Sequence, residues 1–298
     1  MTSPGKFLVV SNPAAGGGRA GRLESSLKSY WRSQGVVARF EAPGSLDELH
    51  QLVRHAPEDG YSAVITLGGD GTFHQVLNAA HGLDLPLGLI PAGGGNDIAR
   101  ALGLPADPLE AAHRLLRGHV RNVDAIRLSA ADGRSPLYAG AGGAGVDAEA
   151  ARLANTRFRH LPGLARYLAA AIAAFRRARP LEVTLEADGV RQTFTALLVA
   201  VANAPSYGNG VRIAPEASPF DGWMDVAVVA PLRWNRLLDG LLLALGTGDI
   251  RWPEMRRLRA RRLRLTTDRP VMFHGDGEAL GETPVDLEVL PGALRVLV

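Results

Sequence analysis

About the first hundred residues alternate short apolar runs with amphipathic stretches, the rhythm of a parallel sheet covered by helices. Phe7–Val10, Val36–Phe40, Ala63–Leu67 and Leu87–Ile90 read as strands. Between and after them, Arg22–Ser33, Ser45–His55, Thr72–His81, Ile98–Leu102 and Pro108–Leu116 read as helices. Ser45, with Glu48 three residues on, forms a capping box. Beyond about Val120 the texture changes to alternating segments separated by turns: Asp124–Ser129, Pro136–Ala141, Leu181–Ala187, Thr193–Val201, Trp223–Val229, Arg262–Thr266 and Val271–His274. Helical patterns interrupt them at Leu164–Arg177 and Asn235–Leu245, and Val285–Val298 is strand-like again. The expectation is an α/β domain with a parallel sheet over 1–122 and a mainly antiparallel β domain over 123–280. The segment 281–298 is expected to return to the first domain.

Composition narrows the chemistry. A chain of 298 residues fits two domains, and 46% hydrophobic with 21% charged residues describes a soluble globular protein. There is no cysteine, which excludes disulfides, thiolate metal sites and a cysteine nucleophile. The chain opens without a basic-then-apolar leader, and no apolar run is long enough to span a bilayer, so the expected location is the cytoplasm. Lys6 and Lys28 are the only lysines. A phosphate group must therefore be met by backbone N–H groups, arginine or a metal ion, and the P-loop pattern with its Gly-Lys-Ser/Thr is absent.

Three glycine loops stand where an expected strand runs into a helix: Ser11–Gly18, Gly68–Thr72 and Pro91–Asp97. Such loops let bare amides crowd around a polyanion, with the positive end of the following helix behind them. Asp70 is displayed at the middle corner, Thr72 is placed to cap the helix from Phe73, and Asn96-Asp97 to cap the helix at Ile98. Alone, Asp70 reads as a turn aspartate. Three loops at neighbouring strand ends point to nucleoside triphosphate chemistry.

The order of these motifs resembles the diacylglycerol kinase catalytic-domain superfamily, which includes bacterial soluble lipid kinases and sphingosine kinases. The likeness runs through Asn12-Pro13, Gly68-Gly69-Asp70-Gly71-Thr72 and Pro91 to Arg100. It continues in Asn203-Ala204, Tyr207-Gly208 and Gly210, then Asp221-Gly222-Trp223-Met224-Asp225, and ends at His274-Gly275-Asp276-Gly277-Glu278. The resemblance implies a first domain similar to that of NAD kinases and phosphofructokinases, and an ATP- and Mg²⁺-dependent kinase that phosphorylates a lipid hydroxyl, such as that of diacylglycerol. It places Asp70 and Thr72 at the ATP phosphates and their magnesium. Asn12, Gly68, Gly69, Gly71, Gly93, Gly94, Gly95 and Asn96 would line the nucleotide site. Asp276 would be the general base with Glu278 beside it, Asp221 would hold a structural magnesium, and Asp124 would link that site to the catalytic cleft through water. Without the resemblance, Asp276 reads as an Asp-Gly hairpin turn.

Three positions depart from the pattern: Gly94 where the family usually has threonine or serine, Gln75 where it has glutamate, and Asn209 within a glycine run. Gly140–Gly145 fits a dinucleotide fingerprint but lacks the acid about twenty residues on, and reads instead as a glycine-rich bend. Arg251, Arg256, Arg257, Arg259, Arg261, Arg262 and Arg264 form a basic stretch, and Arg176, Arg177 and Arg179 end an apolar helix. They read either as a surface for anionic lipid at the inner face of the membrane or as a strand edge protected by charge. No aromatics interleave with them, which argues against nucleic acid. A homodimer is compatible with the sequence. The rival functions are an NAD kinase-like enzyme, disfavoured because no Asn-Glu dipeptide occurs, and a catalytically weak nucleotide-binding regulator.

Overall fold

The four expected N-terminal strands form a parallel sheet: β1 (Phe7–Ser11), β2 (Ala38–Glu41), β3 (Ala63–Gly68) and β4 (Leu87–Pro91), in the order β2-β1-β3-β4. The computed structural model describes residues 5–298 except 159, 162, 207, 209, 234, 235 and 237–251. It divides the chain into two units, Met1–Val123 with Pro291–Val298, and Asp124–Leu290. In the first unit, β1, β3 and β4 are buried throughout, as strands covered on both faces must be, while β2 at the edge is half exposed. Val296, near the end of the last strand of the chain, pairs in parallel with Leu87 of β4.

Five helices accompany this sheet among the described residues: α1 (Ala15–Ser33), α2 (Leu46–His55), α3 (Asp70–Ala80), α4 (Asp97–Ala101) and α5 (Pro108–Arg117). The Ser45 Oγ accepts from the Glu48 N–H at 3.1 Å, and Glu48 reaches back to the Gly44 N–H at 2.7 Å, which completes the capping box one residue early. Asp107 caps α5 by accepting from the N–H groups of Leu109 and Glu110, with Pro108 at the first helical position. Trp31 of α1 is buried edge-on against Phe7, their ring centres 5.7 Å apart, and locks helix to sheet.

The second unit is built on two antiparallel sheets. One holds β8 (Leu181–Ala187), β9 (Val190–Ala196), β13 (Arg262–Thr267) and the first half of β16 (Val285–Leu297), with β5 (Val120–Ala130) and β6 (Leu137–Tyr138) beside them. The other is six-stranded in the order β12-β11-β10-β7-β14-β15. Its strands are β7 (Ala141–Gly145), β10 (Leu198–Ala202), β11 (Met224–Val229), β12 (Met255–Ala260), β14 (Met272–Gly275) and β15 (Glu278–Glu282). One buried cluster draws Val183 and Leu185 from the first sheet and Val201, Val226 and Phe273 from the second, so the two sheets share a core as a sandwich does. Helices α6 (Val146–Asn155) and α7 (Gly163–Arg177) pack on each other around Leu153, Ala154, Ala170 and Ala174.

The α/β unit followed by an antiparallel β unit is the expected fold class. Several details differ. The glycine run 140–145 is not a bend: Ala141–Gly145 is a strand between β10 and β14. Glycine is needed there for closeness, since a Cβ on Gly142 would lie 2.5 Å from the His274 carbonyl oxygen. The single strand expected over Thr193–Val201 is two, β9 and β10, which lie in different sheets. The arginine-rich Met255–Ala260 is an edge strand, β12, the second of the two readings of that stretch, and α6 is an unexpected helix. The helix expected over Asn235–Leu245 lies outside the described residues.

Candidate functional site

The three glycine loops meet at the carboxyl ends of β1, β3 and β4, where ligands of such sheets bind. Their closeness is written in the glycines. A Cβ on Gly93 would lie 2.5 Å from the Gly69 Cα, and one on Gly16 only 2.2 Å from the Ala92 carbonyl oxygen. Gly16, Gly17 and Gly18 all have positive φ, at 60°, 66° and 85°, so the start of α1 is a left-handed turn open to glycine alone. Asn12 ties the first loop to the second: its Nδ2 donates to the Thr72 Oγ at 3.4 Å, while its Oδ1 accepts from the Ala14 N–H.

The caps are not where the sequence puts them. α3 starts at Asp70, two residues before Thr72, so Thr72 sits inside the first turn and accepts from Asn12. Asn96 has left-handed backbone, φ 54°, and its side chain folds over its own loop, Oδ1 on the Gly93 N–H and Nδ2 on the Gly93 carbonyl, both at 3.0 Å. The capping carboxylate of α4 comes from the neighbouring loop. Asp70 accepts from the N–H groups of Asp97 and Ile98 at 3.1 and 3.0 Å, a charge-assisted clasp of loop two on loop three. Asp97, freed from capping, pairs with Arg100 at 2.5 Å. Gly94 has nothing within 4 Å of where a Cβ would stand, so the missing hydroxyl leaves open space. Gly68 packs against Thr72, and Gln75 is half-buried on α3. Gly71 follows Asp70 in the first turn of α3, and Gly95 offers its carbonyl to Arg100 at 3.2 Å.

In the second unit, Asp276 and Gly277, with φ 52° and 89°, form the two-residue turn between β14 and β15. The Asp-Gly hairpin is therefore real, but its carboxylate does more than close a turn. Oδ2 accepts from the Ala139 N–H at 2.9 Å and Oδ1 from the Gly140 N–H at 2.8 Å, groups more than 130 residues away. Tyr138, wholly buried beneath, has its phenol held well above its ordinary pKa by burial, with the Asp276 charge adding to it. Residue 275 is glycine because a Cβ there would lie 2.5 Å from the Leu280 Cδ1 and 3.0 Å from the Tyr138 ring. Glu278 is exposed at the start of β15. His274, two residues before Asp276, has a buried Nδ1 without a hydrogen-bond partner, and burial holds its pKa below the usual imidazole value against the charge of Glu278.

One residue that sequence reasoning left without a role joins this site to Asp124. The Nδ2 of Asn203, fully buried, donates to the Ala139 carbonyl at 2.8 Å and to the Asp124 carbonyl at 2.9 Å. The Asn203 N–H also bonds the Gly140 carbonyl, so the segment that grips Asp276 is itself gripped by Asn203. Asp124 continues the chain, its Oδ2 accepting from the Gly222 N–H at 2.7 Å. The signal was present as Asn203-Ala204 in the ordered motifs, yet its partners lie 64 and 79 residues away, beyond the reach of spacing.

Both expected metal-site carboxylates are already engaged by protein partners. Asp221 accepts from the Trp223 N–H through Oδ1 and is paired with Arg259 through Oδ2, and Asp124 is engaged by Gly222. Among the described residues no group of three or more His, Cys, Asp or Glu is arranged to hold an ion. The arginine stretch is also less bare than its sequence. Arg262 pairs with Glu288, Arg264 with Asp286 and Arg259 with Asp221, while β12 is an edge strand of its sheet, where charge guards against further pairing.

Residues 6–128 match the family model described as the diacylglycerol kinase catalytic domain, and residues 140–298 match the YegS C-terminal NAD kinase beta sandwich-like domain. The chain is 30% identical over 295 residues to a diacylglycerol kinase of Mycobacterium tuberculosis, an alignment covering 98% of this chain and 95% of that protein. It is 26% identical over 303 residues to the protein named "Probable lipid kinase YegS-like" of Stenotrophomonas maltophilia, covering 99% of this chain and 96% of that one. A crystal structure of a diacylglycerol kinase from Bacillus anthracis superposes with a TM-score of 0.74 over 100% of this chain and 98% of that one. At 21% identity this likeness speaks for the fold alone.

Proposed function

Because the chain belongs to the diacylglycerol kinase family of lipid kinases, we propose that it transfers the γ-phosphoryl group of ATP, taken up as its magnesium complex, to the hydroxyl of a membrane lipid such as diacylglycerol. The observation that carries the nucleotide half is the convergence of the three loops. Phosphoryl transfer demands positioning and charge neutralisation more than covalent help. Gly16–Gly18 and Gly93–Gly95 bring backbone within reach of phosphate oxygens with no side chain in the way. Asp70 serves by holding loop three in place through two amides, with Thr72 and Asn12 bracing loop one against loop two.

For the acceptor half we assign Asp276 as the general base. The lipid oxygen attacks the γ-phosphorus as its proton passes to the Asp276 carboxylate. The bond from the γ-phosphorus to the β–γ bridging oxygen breaks, and ADP leaves. The Ala139 and Gly140 N–H groups fix the orientation of that carboxylate. Glu278 lies on the same hairpin and supplies negative charge beside it. Because a lipid acceptor lies in a bilayer, we place the enzyme at the surface of the inner leaflet on the cytoplasmic side.

Radiolabelled ATP offered to the protein with vesicles of diacylglycerol, sphingoid base or phosphatidylglycerol, and with NAD in parallel, tests the reading. Label is expected on one of the lipids and not on NAD. Label on NAD alone, or ATP binding without transfer to any lipid, would overturn it.

A further inference from the structure

Unit two carries a cluster of acids at the start of β11, and an arginine stands among them. β12 runs antiparallel to β11 with Arg259 directly opposite Asp225. From that register its guanidinium pairs with Asp221 through Nη2 and lies 3.5 Å from Asp225 through Nε. The second Asp221 oxygen accepts from the Trp223 N–H at 3.1 Å. Trp223 in turn offers its ring to two cations, Arg259 at 5.4 Å and Arg261 at 4.6 Å from the ring centre. One side chain thus meets two carboxylates and an aromatic face, all within unit two.

A hard divalent ion needs carboxylate oxygens turned toward it, and magnesium holds to near-octahedral geometry. One Asp221 oxygen accepts from the Trp223 N–H and the other faces a permanent cation, whose charge repels a second one. Asp225 is half-buried, and burial is the leading force against its charge, with Arg259 the first opposing one. A guanidinium suits this place better than an ammonium: it stays charged at all working pH, it binds Asp221 while lying within ion-pair distance of the otherwise unbonded Asp225 Oδ2, and it lies over an indole. We propose that Arg259 is the resident cation of the Asp221–Asp225 cluster, a built-in counter-ion that stands in place of a structural divalent metal. The strand edge β12 is then pinned to the Asp221 turn by this side chain, and unit two keeps its shape without a metal.

Thermal unfolding of the full chain without nucleotide tests the inference independently of catalysis. The unfolding midpoint of the wild type is expected to be the same in chelator and in millimolar magnesium. Arg259→Gln should unfold lower by about 4 °C or more. A wild-type midpoint that climbs with magnesium, with the climb lost in Asp221→Asn, would overturn the proposal, and so would an Arg259→Gln protein as stable as the wild type. Should Arg259→Gln fail to fold, the wild type and Asp221→Asn decide between the two cations by themselves.

Discussion

Asp70 and Asp276 are bonded alike and built into different surroundings. Each carboxylate accepts two successive backbone N–H groups from a distant segment, Asp97 and Ile98 for one, Ala139 and Gly140 for the other. Asp70 grips the first turn of a helix, where positive dipole and orphan amides want a carboxylate whatever the protein does. Asp276 grips a segment between two strands from a turn of left-handed backbone, beside a buried phenol and a half-buried imidazole. A carboxylate that saturates a helix end is structural first. A carboxylate carried on a hairpin of left-handed backbone answers no such helix-end demand.

The largest effect should come from breaking the second of these. Asp276→Asn replaces one acceptor by an NH₂ group that faces a backbone N–H, and removes the base. Turnover with ATP and lipid vesicles is expected to fall by about 10² or more, the lower range for losing a general base. The ATP dissociation constant should stay within about twofold, because the loops of unit one are untouched. Turnover near the wild-type value would return Asp276 to the role of hairpin residue.

Gly93→Ala attacks the first constellation. The new Cβ would stand 2.5 Å from the Gly69 Cα, backbone against backbone, so loops two and three must part. Overpacking of this kind costs about 1–3 kcal/mol, which, borne by the nucleotide site, corresponds to about a 5- to 150-fold loss of affinity. Equilibrium binding of ATP measures it. Unchanged affinity would show that the phosphates do not depend on the convergence of these loops.

Much of this was legible in the chain, for identifiable reasons. The parallel strands show as apolar runs because both faces are buried, and the loops show because closeness of backbone selects glycine at fixed places. Where glycine fills a strand, the same signal misleads: Ala141–Gly145 has no side-chain alternation to declare it a strand. β12 has no clean alternation either, and its arginines were readable equally as a lipid surface and as a protected strand edge. Caps are short-range features and were expected to be local, yet α4 is capped across 27 residues by Asp70. The grip of Asn203 on Ala139 and Asp124 is of the same long-range kind, and nothing in local spacing announces it.

Asn203→Ala would separate grip from chemistry. Two carbonyls in a dry interior lose their donor, at about 1–3 kcal/mol for each group left unsatisfied. The unfolding midpoint should drop. If Asn203 also positions Asp276, kcat should fall by about fivefold while KM for ATP holds. Combined with Asp276→Asn, Asn203→Ala should then lower kcat little further, since residues in one network are not additive. A kcat loss that multiplies fully in the double variant would reduce Asn203 to a stability role.

The smallest effect belongs to Gly94, next to the most sensitive glycine of the first constellation. It has ordinary φ and no atom within 4 Å of a prospective Cβ, so nothing in the structure requires glycine there. Gly94→Thr should leave the unfolding midpoint unchanged, in contrast to Gly93→Ala one residue earlier. A hydroxyl turned toward a nucleotide phosphate would gain one hydrogen bond, about 1 kcal/mol net, or roughly fivefold in ATP affinity. Binding measured on Gly93→Ala and Gly94→Thr side by side then distinguishes glycine kept for closeness from glycine that leaves room. If Gly94→Thr weakens ATP binding instead, the space beside residue 94 is filled by the nucleotide itself, and loop three holds its phosphates by bare backbone there too.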